Sequence, residues 1–267
     1  MTYTYCFILL IILLFLLFIL LKKFLQRKCG YNIVGGMKGG ASPFKYVHVN
    51  PNPKYTLIYI HGLNPNGAKY AKELFIDSIE KTSYKDTCSY GIFYREKEGD
   101  LDYELERFKK YVFDTFPLGQ YILIGHSFGA CFAKYFMEHT RHISKAISLD
   151  GFNLHISVPY FLGIPDEKLV YTKDMVISDG KDYTNHEALL PHYVYTCAYR
   201  VRNDNPNYYV IYYNPREDKK DEPSLERTPN KFYQNFYEMY YGAEYSHSIH
   251  RHHQCLELIL DTILQNV

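Results

Sequence analysis

The 267-residue chain contains no Trp, although it holds 29 Tyr and 17 Phe. Its aromatic content therefore reads first as core-filling apolar area. No C-x-x-C pair occurs among its six cysteines (Cys6, Cys29, Cys88, Cys131, Cys197, Cys255), and their spacing is too sparse for a disulfide framework. Buried, reduced thiols are the expectation. An N-x-[ST] acceptor is also missing. Lys+Arg 30 against Asp+Glu 29 leaves a net charge of +1, without the basic stripe a nucleic-acid binder shows, so nucleic acid is excluded as a partner. No Pro/Gly/Ser-rich linker divides the middle of the chain and no period of 20 to 50 residues recurs, which excludes a solenoid and argues for one large domain.

The most conspicuous feature present is Cys6–Leu21, a charge-free apolar run that Thr2–Tyr5 extends toward the length a bilayer requires. Positive charge follows the run (Lys22, Lys23, Arg27, Lys28) and does not precede it, the reverse of a secretory signal. Residues 1–24 are accordingly expected to form a single-pass transmembrane anchor. The positive-inside bias places the C-terminal bulk in the cytoplasm. Residues 25–44 read as a juxtamembrane linker and 45–267 as the main domain.

Along that domain, short apolar β-branched runs alternate with helical periodicity. Residues 55–60 (YTLIYI), 88–94, 121–124 and 146–149 read as strands, and 69–81, 101–116 and 128–140 as helices. Such alternation with short connections implies an α/β fold, a mostly parallel sheet flanked by helices. After Gly151 the rhythm breaks, and 152–207 reads as a lid-like insertion with structure of its own. Residues 208–213 (YYVIYY) resume the strand pattern. The stretch 232–241 is undecided, and 252–264 reads as the closing helix.

Gly125-His126-Ser127-Phe128-Gly129 fits G-x-S-x-G between an apolar strand and a helix, the setting of a nucleophile elbow. A serine hydroxyl there needs a base and an acid that orients the base. For the base, His247 is preferred and His250 is the alternative, within Tyr245–His253; His252 and His253 read as helix surface. Four nearby histidines without carboxylates or cysteines at ligand spacing do not make a zinc site, so neither metal nor cofactor is expected. Asp218, in the acidic loop after 208–213, is the preferred acid; Asp150, at the end of 146–149, is the alternative, and Glu217 and Asp221 are neighbours that could substitute.

GHSFG, the His61-Gly62 turn after an apolar strand, and the order Ser–acid–His resemble the α/β-hydrolase superfamily over about residues 45–265. The resemblance implies an oxyanion hole from the amides of Phe128 and Leu63, and a loop-shaping role for His61. It gives His126 no role. It also implies a serine esterase or lipase-like activity on a small-molecule or lipid acyl ester or thioester. A catalytically inactive, hydrolase-like binding protein and a peptidase on the same scaffold are the competing readings.

Overall fold

The computed structural model describes residues 42–62, 70–96, 101–151, 170–171, 176–178, 181–182, 205–215, 222–230, 233–242 and 247–264. The expected anchor 1–24, Leu63, Asp218 and most of the 152–207 insertion lie outside them. Among the described residues, no helix is long and apolar enough to cross a membrane.

Eleven strands and four main helices order the described chain. The strands are β1 (Phe44–His48), β2 (Tyr55–Ile60), β3 (Cys88–Phe93), β4 (Gln120–His126), β5 (Ile143–Leu149), β6 (Val170–Tyr171), β7 (Val176–Ser178), β8 (Lys181–Asp182), β9 (Tyr208–Pro215), β10 (Ser224–Arg227) and β11 (Asn235–Tyr241). Helix α1 opens with a π-helical turn, Lys72–Ile76, and continues as Asp77–Ile79; α2 is Leu101–Thr115, α3 Gly129–His139 and α4 His253–Leu264. The main sheet has eight strands in the order β1-β3-β2-β4-β5-β9-β11-β10, and β6–β8 form a separate antiparallel sheet within the inserted region. All pairings from β3 through β11 in the main sheet are parallel; only the edge strands β1 and β10 run antiparallel.

Helices cover both faces, which explains why the central strands are apolar at nearly every position. Ile58, Ile60, Leu123, Ala146 and Val210 point into one core layer, with Leu105, Phe108 and Val112 of α2 and Phe132 and Phe136 of α3. Their alternating neighbours Leu57, Tyr59, Ile122, Ile124, Ile147 and Ile211 point into the other, with Phe75 and Ile79 of α1 and Leu256, Ile259 and Leu260 of α4. Cys88, Cys131 and Cys255 are buried.

After β2 the chain pairs β3 on one side, then crosses back to place β4 on the other. The helix that follows β2 packs on one face of the sheet and the helix that follows β4 on the other; in open α/β sheets the carboxyl ends of strands at such a switch are where ligands bind.

Candidate active site

At the carboxyl ends of these strands stand the His61-Gly62 turn after β2 and Ser127 after β4. Ser127 has φ +52°, a left-handed conformation that costs a non-glycine residue energy and is seen where a turn demands it. The flanking glycines permit that turn. A Cβ on Gly125 would sit 2.4 Å from the Gly129 carbonyl oxygen, and one on Gly129 would sit 2.2 Å from the Ile60 carbonyl oxygen. Helix α3 thus starts hard against the ends of β2 and β4, with Phe128 as its capping residue. Gly62 packs on the serine itself: a Cβ there would lie 3.1 Å from Ser127 Cβ and 3.5 Å from its Oγ.

The partner strand brings an acid alongside. His126 of β4 is in register with Leu149 of β5, so Ser127 and Asp150 are the next residues on adjacent parallel strands. Asp150 is also left-handed, with φ +42°; its amide donates to the Ile211 carbonyl at 2.8 Å, and the Ser127 amide donates to the Leu149 carbonyl at 3.1 Å. His247 Nδ1 lies 2.5 Å from Asp150 Oδ2. With Nδ1–H donating to the carboxylate, Nε2 is left as the proton acceptor. The imidazole is 57% exposed and the carboxyl 13%. The acid that meets His247 is thus Asp150, the alternative in the sequence reading, and Asp218 lies outside the described residues.

The other histidines sit behind this pair. His250, the alternative base, is fully buried, with Nε2 2.9 Å from the Tyr59 hydroxyl; burial and the neighbouring His126 and His247 hold its pKa well below the ordinary value. His126, which the sequence left without a role, is buried too. Its Nε2–H donates to the His247 carbonyl at 2.6 Å, and its ring centroid lies 4.8 Å from that of His247 and 4.5 Å from that of His250. Desolvation, more than repulsion by His247, holds its pKa down to about 4. His61 donates from Nδ1 to the Gly62 carbonyl at 2.8 Å; burial, then the charge of Arg95, holds its pKa to about 4.

Arg95 was not legible as a site residue. Its sequence signal is a cation two residues beyond the carboxyl end of a parallel strand, where open α/β sheets bind ligands. Nη2 donates to both the His61 and Gly62 carbonyls, at 2.8 and 2.6 Å, and the guanidinium lies over the rings of Phe132 (4.5 Å) and Phe128 (5.1 Å). Among the described residues, no group of three or more His, Cys, Asp or Glu side chains is placed to hold a metal.

No protein-family model and no curated protein matches the chain. Among solved structures it is similar to Est1E from Butyrivibrio proteoclasticus at 16% identity, covering 81% of this chain and 88% of that one, with a TM-score of 0.45. A serine hydrolase involved in carbazole degradation (CarC) is similar at 10% identity, 81% and 93% coverage and a TM-score of 0.46. An alpha-beta serine hydrolase homologue from Coxiella burnetii gives 13%, 81% and 86%, and 0.42. At these identities and TM-scores the likenesses assign neither a family nor a function to this chain.

Proposed function

We propose that the chain is a serine hydrolase of the α/β-hydrolase type that cleaves an acyl ester or thioester through an acyl-enzyme on Ser127. The single observation that carries the reading is the left-handed Ser127 at a strand–helix turn, next in register to an Asp150 whose carboxylate meets His247. In this mechanism His247 Nε2 takes the hydroxyl proton as Oγ bonds to the acyl carbon. Asp150 keeps the imidazole in the Nδ1–H tautomer and offsets the charge it gains. The amides of Phe128 and, by resemblance, Leu63 stabilise the oxyanion. Collapse of the tetrahedral intermediate breaks the bond to the alcohol or thiol, which leaves with the proton from His247. Water then repeats the sequence on the acyl-enzyme and releases the acid.

A fluorophosphonate probe tests the reading. It should label the protein, and Ser127→Ala should lose both labelling and hydrolysis of an activated ester. Persistent ester hydrolysis in that variant, or an unlabelled folded protein, rejects it.

We further propose that residues 1–24 anchor the enzyme as a single-pass helix, with the hydrolase domain in the cytoplasm. The support is the charge-free run Cys6–Leu21 followed by Lys22, Lys23, Arg27 and Lys28. An enzyme held at a bilayer meets amphiphilic acyl substrates at high local concentration. The intact chain should pellet with membranes through alkaline carbonate washing; recovery in the supernatant would remove the anchor.

A further inference from the structure

On the serine-hydrolase reading, the geometry points to Arg95 as the positioning residue of the oxyanion hole, the group that fixes the His61-Gly62 turn against the nucleophile and the elbow. Two arms must meet in that hole, the turn after β2 and the start of α3. They are separate in sequence, and Arg95 touches both. The two N–H groups of Nη2 engage the His61 and Gly62 carbonyls at 2.8 and 2.6 Å. The same guanidinium lies over the ring of Phe128, whose amide is the expected donor, and over that of Phe132 one turn further along α3.

The electrostatic reason lies in what the turn would otherwise do. Gly62 packs closely on Ser127: a Cβ there would lie 3.1 Å from Ser127 Cβ, tighter than an ordinary contact. Carbonyl oxygens carry partial negative charge, and two of them turned toward the reaction centre would oppose the anion that forms there. Arg95 takes both, and the Gly62 oxygen accepts a second hydrogen bond from His61 Nδ1–H. Both carbonyls are thereby held by donors before any substrate arrives, so the turn needs no reorganisation when charge develops. Arg95 is only 8% exposed, so these contacts are little weakened by solvent. Lysine would not reproduce the arrangement, because an ammonium has neither the planar fork nor a face to lay on the rings. The role assigned to Arg95 is one of positioning. Its effect passes through the turn.

The test compares Arg95→Lys and Arg95→Met with the full-length chain, using a p-nitrophenyl ester and phenylboronic acid, which forms an anionic tetrahedral adduct on an activated serine. Wild-type turnover and its loss in Ser127→Ala come first; without them the hydrolase reading fails and this inference falls with it. Given them, both variants should lose kcat by about 10²-fold, the scale of one lost oxyanion donor, with KM within about threefold. The boronate inhibition constant should rise by the same factor as kcat falls. Circular dichroism identifies the folded variants, and Arg95→Lys, which retains charge and stem, decides the matter if Arg95→Met does not fold. Wild-type kcat in folded Arg95→Lys, or a rise in KM with kcat and boronate affinity unchanged, overturns the assignment of Arg95 and leaves the Ser127 mechanism standing.

Discussion

In the proposed mechanism the imidazole that takes a proton from serine gains charge, and the carboxylate 2.5 Å from His247 Nδ1 would offset it. Asp150 reaches this position because β5 adjoins β4 and its last residue is in register with the one before the serine. Exposure separates His247 from its alternative. His250 is wholly buried, its Nε2 is engaged by Tyr59, and a proton placed on it would enter a desolvated site. Asp150→Asn should therefore keep the fold and lower kcat by about 10³- to 10⁴-fold, because an amide facing Nδ1 favours the wrong tautomer. Asp218→Asn should cost far less. A larger loss from Asp218→Asn, measured on the same ester, would return the acid to the loop after β9. The sequence favoured Asp218 because the family resemblance puts the acid after the strand 208–213; Asp150 is the carboxylate at His247, and Asp218 lies outside the described residues. His126 and Arg95 were missed because their partners, the His247 carbonyl and the 61–62 carbonyls, are backbone atoms that no side-chain pattern advertises.

Elements buried on both faces were the most legible, since their apolar runs have no rival explanation: 55–60 and 208–213 announced β2 and β9, and the helical periodicity of 101–116 announced α2. Edges were harder to read. Strand β1 begins at Phe44, inside the stretch expected to be a linker, and its pairing with β3 shifts register between Lys45 and His48, with Tyr46 left-handed at φ +51°. That irregularity breaks the period-two pattern that identifies a strand. Strand β11 escaped for the opposite reason. It lies between β9 and β10, and its Tyr-rich sequence is buried at most positions, alternating with half-buried ones only from Tyr237 to Tyr241. The helix expected over 69–81 is π-helical at Lys72–Ile76, a departure from the 3.6-residue period that hydrophobic spacing cannot reveal. The junction of β2, β4 and α3 carries a prediction of its own. A methyl at Gly129 would meet the Ile60 and His61 carbonyl oxygens at 2.2 and 2.6 Å, both backbone atoms that cannot rotate away. Gly129→Ala should push α3 from the sheet, destabilise the fold by about 3 kcal/mol and abolish probe labelling. A thermal midpoint and labelling rate equal to wild type would show that the helix start has room to move.

Three of the buried imidazoles make the whole molecule sensitive to acid in a direction that can be worked out. His61 faces Arg95, Tyr94 and His126; His126 faces His247, Asp150, His61 and His250; His250 faces His126, His247 and Tyr59. Burial is the largest influence on all three and lowers each pKa, to about 4 for His61 and His126 and further for His250. In the unfolded chain each returns to about 6.5. Above that pH both states hold these rings neutral and they exert no pH dependence. As pH falls through 6.5 toward 4, the unfolded chain binds about three protons that the folded protein refuses, so stability must fall with pH across that window. Near pH 5 the slope should approach about 4 kcal/mol per pH unit, three groups at roughly 1.4 each. Urea unfolding at half-unit steps from pH 7.5 to 5 measures it directly. His126→Gln, which keeps a donor for the His247 carbonyl, should reduce the linkage by about one proton. Stability that stays level from pH 7 to 5 would mean that these rings are not neutral and buried together. His247 would then no longer be the one exposed imidazole of the cluster, and the reason for assigning it the serine proton would go too.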